Sequence, residues 1–498
     1  TPPGPADYFS DEWFEMLIHT KKEAVRLGLD MCVMNGPGWA TSGGPWNTPE
    51  NAMQEVVWTE KHLSGPSQFN GKLSIPKPVL GLERDMQRDN FINKRYYMPR
   101  DLLKGHYHDI VLLAFPTPEG ELAGNPYRIA NWWYKAGYRK MAHYERDMRV
   151  APEDEVVCLD EIINLSDKMD SDGNLQWDVP EGDWNLLRVG YQPTGRSNHP
   201  APKGGKGLEV DRMSVEAVDI HWKESVMKML NAGGQDVENS ITSVTIDSYE
   251  AGHQNWTKGF DEEFKKMFGY DIYYYLPAVA GRVIESTDVT ERFLWDYRKT
   301  VSDLIIQNYY KRFQTLAHQN DVSFACEHYG NFGNTDDFST GKYVDIPTTE
   351  FWALKSNHHG GISKLSSSTA HVYNRKIVGA EAFTGAPQSI FETNPRDIKA
   401  QGDWMYCRGI NQYWLHGYTN NPYKQKPGLV LGSYGSHFHR YNTWWKYSKG
   451  WFDYMARCQY MLQQGNPTND ILYFVGEDAP VDPLPKEKLE PAIPDGYD

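Results

Sequence analysis

The sequence predicts an α/β fold: a (β/α)8-type TIM barrel whose first strand lies upstream of residue 1, with an inserted antiparallel β domain. Two observations predict it. Short apolar segments alternate with helical segments over residues 1–57 and 206–475, which is typical of a parallel sheet. Between them, frequent turns divide residues 58–205 into strands, which is typical of an antiparallel sandwich.

The chain is predicted to enter the barrel through a helix and a strand. Residues 11–27 place Phe14 and Leu17 on one helical face, and Gly28 ends the helix. The apolar segment 30–35 then predicts a short strand.

Residues 35–46 read NGPGWATSGGPW and combine four glycines, two prolines and two tryptophans. Glycine permits close backbone approach and proline fixes φ, so the composition indicates a loop of defined shape. The spacing does not match a phosphate-binding loop, because no Lys-Ser or Lys-Thr pair follows. A tight turn with buried tryptophans is the alternative to a binding loop.

Seven segments are candidates for parallel strands, one fewer than a closed barrel needs. They are 30–35, 207–211, 241–247, 322–327, 345–350, 376–381 and 410–416. Because the opening TPPGP leads directly into a helix, we expect the missing strand upstream and the chain to be part of a longer polypeptide. Residues 476–498 are predicted to be a linker to a further domain. A doubly wound open sheet is the alternative, but no dinucleotide-binding motif supports it.

Acidic side chains lie at or near the ends of the predicted strands, where barrel enzymes carry their catalytic groups. The candidates are Asp211, Asp247, Glu250, Glu327, Glu350 and Glu381, with His416 after the last strand. Any one of them could be a surface carboxylate or an ion-pair partner. Several carboxyls buried around one mouth need protons, cations or a metal, and their pKa values separate. Glycoside hydrolysis uses two carboxyls of this kind.

The histidines do not indicate a zinc site, because no HExxH or similar spacing occurs. An excess of carboxylates suits a hard cation such as calcium better. His358 follows segment 345–350, the sixth strand of the barrel when the missing first strand is counted, and lies near two glycines. Either substrate contact or a structural role is expected for it.

Composition excludes several function classes. The net charge of −15 argues against nucleic acid and anionic membranes as partners, and no apolar stretch is long enough for a membrane span. Five separated cysteines without a CxxC pair indicate neither a disulfide framework nor zinc. Aromatic residues reach 13%, which fits sugar binding, although a large core could also hold many of them.

Five segments together resemble glycoside hydrolase family 106, the α-L-rhamnosidases. They read NGPGWATSGGPW, VTIDSYEAGHQNWT, FACEHYGN, TTEFW and VGAEAFTG, and the resemblance covers roughly 1–57 and 206–460. The resemblance implies an inverting mechanism on a partial (β/α)8 barrel, calcium near the sugar, and a secreted or periplasmic bacterial protein. The implied substrate is a rhamnose-containing glycan from plants or microbes, from which terminal L-rhamnose is released.

The same resemblance implies roles for individual residues. Glu250 falls on the general acid and Glu381 on the general base, while Glu350 and Glu327 are expected to bind calcium or substrate. The other side chains expected at the sugar are Trp39, Trp46, Asp247, His328, His358 and His416. The glycines of the 35–46 loop are expected to let its backbone approach the sugar, and a tryptophan to face the sugar methyl group.

Two other functions stay open from the sequence. A retaining glycosidase of another barrel family would usually carry Asn-Glu at the end of the fourth barrel strand. In this chain that strand is segment 241–247, and Tyr249-Glu250 stands there instead. A non-catalytic carbohydrate-binding protein could keep the tryptophans and lose the carboxylates, but here all of them are present.

Overall fold

A computed structural model describes residues 6–39, 42–76, 97–139, 145–329, 335–353, 360–385, 391–430 and 434–479. Its strands, numbered along the chain, are β1 (Met31–Met34), β2 (Gly43–Gly44), β3 (Gln54–Lys72), β4 (His108–Pro116), β5 (Val156–Val157), β6 (Ile163–Asn164), β7 (Asn174–Pro193), β8 (Leu208–Glu209), β9 (Ile241–Ile246), β10 (Val283–Ile284), β11 (Ser323–Glu327), β12 (Ile346–Trp352), β13 (Gly379–Thr384) and β14 (Gln412–Leu415).

The helices of the described residues are numbered in the same way. They are α1 (Asp11–Leu27), α2 (Glu119–Leu122), α3 (Trp132–Lys135), α4 (Val215–Glu224), α5 (Val226–Leu230), α6 (Phe260–Phe268), α7 (Leu276–Val279), α8 (Thr287–Ile305), α9 (Lys311–Gln319), α10 (Asp337–Gly341), α11 (Gly360–Val372), α12 (Pro395–Cys407) and α13 (Lys449–Leu462). A π-helical turn, Ile306–Tyr310, joins α8 to α9.

A parallel sheet of six strands organises the molecule, in the order β1-β9-β11-β12-β13-β14. It curls into a half-barrel. Six of the seven predicted strands join it, and β1 lies at one edge with β9 as its neighbour. A closed eight-stranded barrel is not formed by the residues that the structure describes.

The segment 207–211 is the exception, and its assignment as a parallel strand was wrong. Only Leu208–Glu209 is extended in a ladder, and it pairs antiparallel with Gly43–Gly44. The backbone N–H of Val210 donates to the carbonyl of Ser42, which continues the contact. Periodicity cannot distinguish these two pairings in so short an apolar run, because the partner is set by a loop distant in sequence.

Helix α1 has the bounds that its capping residues predict. The Ser10 hydroxyl accepts a hydrogen bond from the backbone N–H of Trp13, and Gly28 adopts the left-handed conformation (φ +65°) that ends the helix. Its most buried side chain is a lysine: Lys21 Nζ donates to the carbonyls of Leu230 and Ala232 and so caps the end of α5.

A second sheet of four antiparallel strands, in the order β3-β7-β4-β6, lies between the first and second strands of the half-barrel in sequence. Strands β3 and β7 pair along almost their whole length, from Gln54 opposite Pro193 to Lys72 opposite Asn174. Such a sheet was expected here, whereas the domain boundaries 57/58 and 205/206 and the linker 476–498 stay predictions; residues 480–498 lie outside the described residues.

Two hydrophobic clusters support the half-barrel. The larger joins β1, β9 and β11 to α4, α8 and one face of the antiparallel sheet, and the smaller joins β12 and β13 to α12 and α13. All five cysteines are free thiols. Among the described residues, no helix combines the length and the apolar character that crossing a membrane requires.

Candidate active site

Four carboxyl side chains meet on one face of the parallel sheet, at its carboxyl edge. Glu350 on β12 is the register partner of Glu381 on β13. The pairing of Cys326 with Ile246 places Glu327 and Asp247 side by side one residue later. Because side chains two residues apart share a face, Glu327, opposite Thr348, lies on the face of Glu350. The predicted convergence of strand-end carboxyls is therefore present.

Asp247 and Glu327 form the most buried pair of this group. Together with Glu381 they offer carboxylate oxygens within 4.8 Å of one another. Burial and the charge of Glu381 raise the pKa of Asp247 to about 6, although a hydrogen bond with Glu327 partly offsets this. Burial and the neighbouring carboxylates raise the pKa of Glu327 further, while Tyr329 Oη donates to its Oε2 at 2.5 Å. The pair therefore retains a proton or requires a cation.

Glu381 is held through one of its two oxygens. His416 Nδ1 lies 3.1 Å from Oε1, and the Thr384 hydroxyl donates to the same oxygen. Burial raises the pKa of Glu381, but the hydrogen bond and charge of His416, with Thr384, outweigh it and the pKa is lowered. Burial lowers the pKa of His416, but Glu381 and the other carboxylates raise it overall. The two side chains therefore form an ion pair, and no described side chain donates to Oε2.

Glu250 follows β9 and is held by two hydrogen bonds and a nearby imidazole. Trp39 Nε1 donates to Oε2 and Ser248 Oγ to Oε1, each at 3.1 Å, while His199 Nε2 lies 3.7 Å from Oε2. Burial raises the pKa of Glu250, but these three partners outweigh it and the pKa is lowered. At 35% side-chain exposure Glu250 is the most accessible of the catalytic candidates.

Glu350 is held in a similar way by a second indole. Burial and the charge of Glu381 raise its pKa to about 7, and a hydrogen bond from the Trp352 side chain partly offsets this. Glu350 therefore retains its proton more readily than Glu381 does.

The loop 35–46 supplies Trp39 to the site, but its glycines serve the protein's own packing. Gly38 has φ +109°, and a Cβ there would lie 2.9 Å from the carbonyl oxygen of His199. A Cβ on Gly44 would meet the ring of Trp46 at 2.4 Å. The described glycines of this loop thus allow close contact with other segments of the chain, and the expected approach of the loop to sugar stays a prediction.

Trp46 does not reach the carboxyl cluster. Its Nε1 donates to His221 Nδ1 at 3.0 Å, and its ring stacks on Phe9 at 5.9 Å, beneath α1. A structural role fits Trp46, which is partly buried, whereas Trp39 contacts a catalytic candidate.

Two further candidates are not brought to the cluster. His328 is buried, with Nδ1 3.0 Å from the carbonyl of Asp337, and burial lowers its pKa to about 4. It follows Glu327 directly, so its ring lies on the opposite face of the strand. Asp211 is buried among Thr257 and Gln254, away from the half-barrel strands. His358 lies outside the described residues.

Sequence reasoning missed several residues that hold the carboxyls. Ser248, Tyr329 and Thr384 lie within three residues of a strand-end carboxyl, so their position was a usable signal. His199 gave none, because it belongs to the segment after β7 and reaches Glu250 only through tertiary packing.

Comparisons with known proteins agree with this geometry. The model of glycoside hydrolase family 106, described as alpha-L-rhamnosidase, matches residues 3–498. A Formosa agariphila protein named "Putative beta-glucuronidase" is 40% identical over 485 residues, covering 96% of this chain and 38% of that protein. The structure of a rhamnosidase from Novosphingobium sp. PP1Y superimposes with a TM-score of 0.79 at 25% identity, covering 99% of this chain and 58% of that chain. The chain thus spans well under two thirds of either relative.

Proposed function

The chain belongs to glycoside hydrolase family 106, the alpha-L-rhamnosidases, and from this premise we propose that it releases terminal L-rhamnose from a glycan with inversion. In this proposal Glu250 is the general acid and Glu381 the general base. The observation that supports it most strongly is the asymmetric setting of Glu381: two donors hold Oε1, and Oε2 remains able to accept a proton.

The proposed base must be ionised and aimed at a water molecule. The ion pair with His416 keeps Glu381 ionised despite its burial. Oε2 then removes a proton from water as the water oxygen attacks the anomeric carbon. Glu250 gives its proton to the glycosidic oxygen as the bond from that oxygen to the anomeric carbon breaks, so each carboxyl exchanges one proton per turnover.

The proposed acid has to stand apart from the base. Glu350 and Glu381 are register partners on neighbouring strands, which lie about 4.8 Å apart, too close for a water between their carboxyls. Glu250 follows β9, which is separated from β13 by β11 and β12. In the free protein the pKa of Glu250 is lowered, so we propose that a bound leaving group displaces water and some of its donors, and that protonation accompanies binding.

The cluster favours a neutral sugar in the pocket. Four carboxyls with His416 as the nearest cation would repel a uronic acid carboxylate at the same position. A glucuronidase activity, which the name of the Formosa agariphila protein would suggest, therefore fits this pocket less well than a deoxyhexose does.

We propose calcium as a bound cation. Asp247 and Glu327 supply carboxylate oxygens of the kind that calcium prefers, with Glu381 beside them, and the raised pKa values of this buried pair support a site where a positive charge would stabilise it. Glu350, which the resemblance implied as a ligand, lies outside this closest group. The ion would supply a positive charge that keeps the carboxyls ionised. It would also orient oxygens of the bound sugar.

Two broader proposals follow from the family. We propose that the protein is secreted or periplasmic and acts outside the cytoplasm, where polysaccharides occur. We also propose that the chain works together with further domains of a longer polypeptide, since it spans 38% of its curated relative.

The stereochemical outcome tests the mechanism. Proton NMR of the first rhamnose released from an aryl α-L-rhamnoside should show the β-anomer, and Glu381→Gln should abolish release, while the exposed Glu216→Gln on α4 serves as the matched control. Initial release of the α-anomer would instead indicate retention.

A further inference from the structure

Charge is distributed unevenly along the chain. Of its 66 aspartate and glutamate residues, none lies between Trp404 and Phe452. The same stretch carries six basic residues, Arg408, Lys424, Lys426, Arg440, Lys446 and Lys449. A protein of net charge −15 therefore has one strongly basic segment, and it includes the strand and loops that follow Glu381.

The exposed part of this segment is both basic and aromatic. Tyr418, Tyr423 and Tyr434 are 59%, 63% and 51% exposed. The cations of this surface, Lys424, Lys426 and Arg440, are exposed and make no ion pair within the described part of the chain. We refer to these six residues as the basic rim. Exposed tyrosines offer flat faces to sugar rings, and unpaired cations offer binding to anions.

Hydrogen bonds hold the backbone around Tyr423 and Lys424 in a defined conformation. Asn421 Nδ2 donates to the carbonyl of Thr419 at 2.9 Å, and Asn421 Oδ1 accepts from the backbone N–H of Leu429. Arg440 Nη2 and the Tyr441 hydroxyl both donate to the carbonyl of Tyr423. These bonds fix the backbone on both sides of Lys424 and Lys426 and anchor the Arg440 guanidinium.

Two contacts place the rim beside the carboxyl cluster. The ring of Tyr434 packs edge-on against Trp352 at 5.5 Å, and Trp352 bonds Glu350. The backbone N–H of Ser436 donates to the carbonyl of His416, the partner of Glu381, at 2.9 Å. A glycan whose terminal sugar occupies the pocket can therefore extend over the rim.

We propose that the basic rim binds anionic sugar residues, bearing carboxylates or sulfate esters, of a glycan that occupies the pocket. The inference rests on the proposed function for the class of ligand, a glycan. The acidic pocket takes the neutral terminal sugar and the rim takes a charged part of the same glycan, so the two surfaces recognise different parts of one substrate. Nucleic acid is disfavoured as the polyanion, because the rest of the chain is acidic.

Dextrans that differ in charge test the rim independently of turnover. Binding of the unmodified protein to dextran, carboxymethyl dextran and dextran sulfate is measured by affinity electrophoresis and titration calorimetry. We expect binding to at least one charged polymer and none to dextran, with the preferred polymer identifying carboxylate or sulfate as the anion. Lys424→Gln/Lys426→Gln should weaken it at least about tenfold, and added salt should weaken binding to the unmodified protein.

The control double variant, Lys223→Gln/Lys266→Gln, removes two exposed lysines from helices α4 and α6, which are not part of the rim. It should bind charged dextran as the unmodified protein does. Tyr423→Ala gives a second test of the rim, since it leaves the charges in place and should also weaken binding. Thermal unfolding checks that each variant is folded.

Three results would overturn the proposal. The first is that neutral and charged dextrans bind equally well. The second is that the rim and control double variants have equal affinity for charged dextran. The third is that duplex DNA retains the protein as strongly as charged dextran does. Failure of the proposed function would look different: the unmodified protein would not hydrolyse a neutral aryl rhamnoside, yet its binding to charged polymer would persist.

Discussion

Replacement of His416 by alanine should move the acidic limb of the pH–rate profile. His416 Nδ1 lies 3.1 Å from Glu381 Oε1, and the two side chains are 31% and 23% exposed. At this separation Coulomb's law with an effective dielectric of about 20 gives an upper bound of ~5 kcal/mol for the attraction between the two charges. Solvent at the partly exposed pair reduces this attraction. Carboxyls beside an opposite charge have a pKa lowered by ~1–3 units.

The direction of the shift follows from the role proposed for Glu381. A base must be ionised, and the imidazolium of His416 keeps the pKa of Glu381 lowered. Without this charge the pKa rises, so the fraction of active enzyme falls at low pH first. We expect the acidic limb of kcat/KM on an aryl α-L-rhamnoside to move up by ~1–3 units, with activity at higher pH less affected.

Thr384→Val is the matched control, because it removes a neutral donor to the same oxygen and leaves the charge. Its limb should move by less than about one unit, since a neutral hydrogen bond contributes ~0.5–1.5 kcal/mol. If His416→Ala lowered kcat/KM equally at every pH, or raised only KM, the ion pair would not tune the base and His416 would act as a substrate contact.

Four further predictions concern catalysis, metal and stability. Glu250→Gln and Glu381→Gln should each lower kcat by ~10²–10⁴-fold with unchanged thermal unfolding, and near-normal rates in both would refute the assignment. Added calcium should raise the melting temperature and Asp247→Asn should remove that effect; a shift that survives in the variant places the ion elsewhere. Arg282→Met leaves two glutamates without their buried partner and should cost ~3–5 kcal/mol in urea unfolding, while a loss below about 1 kcal/mol would show the pair to be solvated. Gly38→Ala should displace the indole that follows it and raise KM, because its Cβ would lie 2.9 Å from a carbonyl oxygen; unaltered KM and stability would contradict this.

Much of the parallel sheet was predictable because its signals are local. Helix α1 is bounded by a serine cap and a left-handed glycine, and six apolar segments between helical stretches became neighbouring strands. The carboxyls at strand ends could also be predicted to converge, because parallel strands end at one edge of a sheet.

The exceptions involve contacts between residues far apart in sequence. The pairing of Leu208–Glu209 with two glycines, and the different positions of Trp39 and Trp46, depend on which surfaces the folded chain brings within reach. Neither composition nor periodicity distinguishes two tryptophans seven residues apart in one loop.

The sequence alone determined the kind of chemistry: alternating strands and helices, acidic residues at four strand ends, and one basic stretch within an acidic chain. These properties depend on residue types and short spacings. Only the tertiary structure decided which carboxyl is ionised, because the pKa of each depends on burial and on partners such as His199 and His416 from distant segments. The same register that places Glu350 beside Glu381 leaves Glu250, with two strands in between, as the carboxyl farther from Glu381.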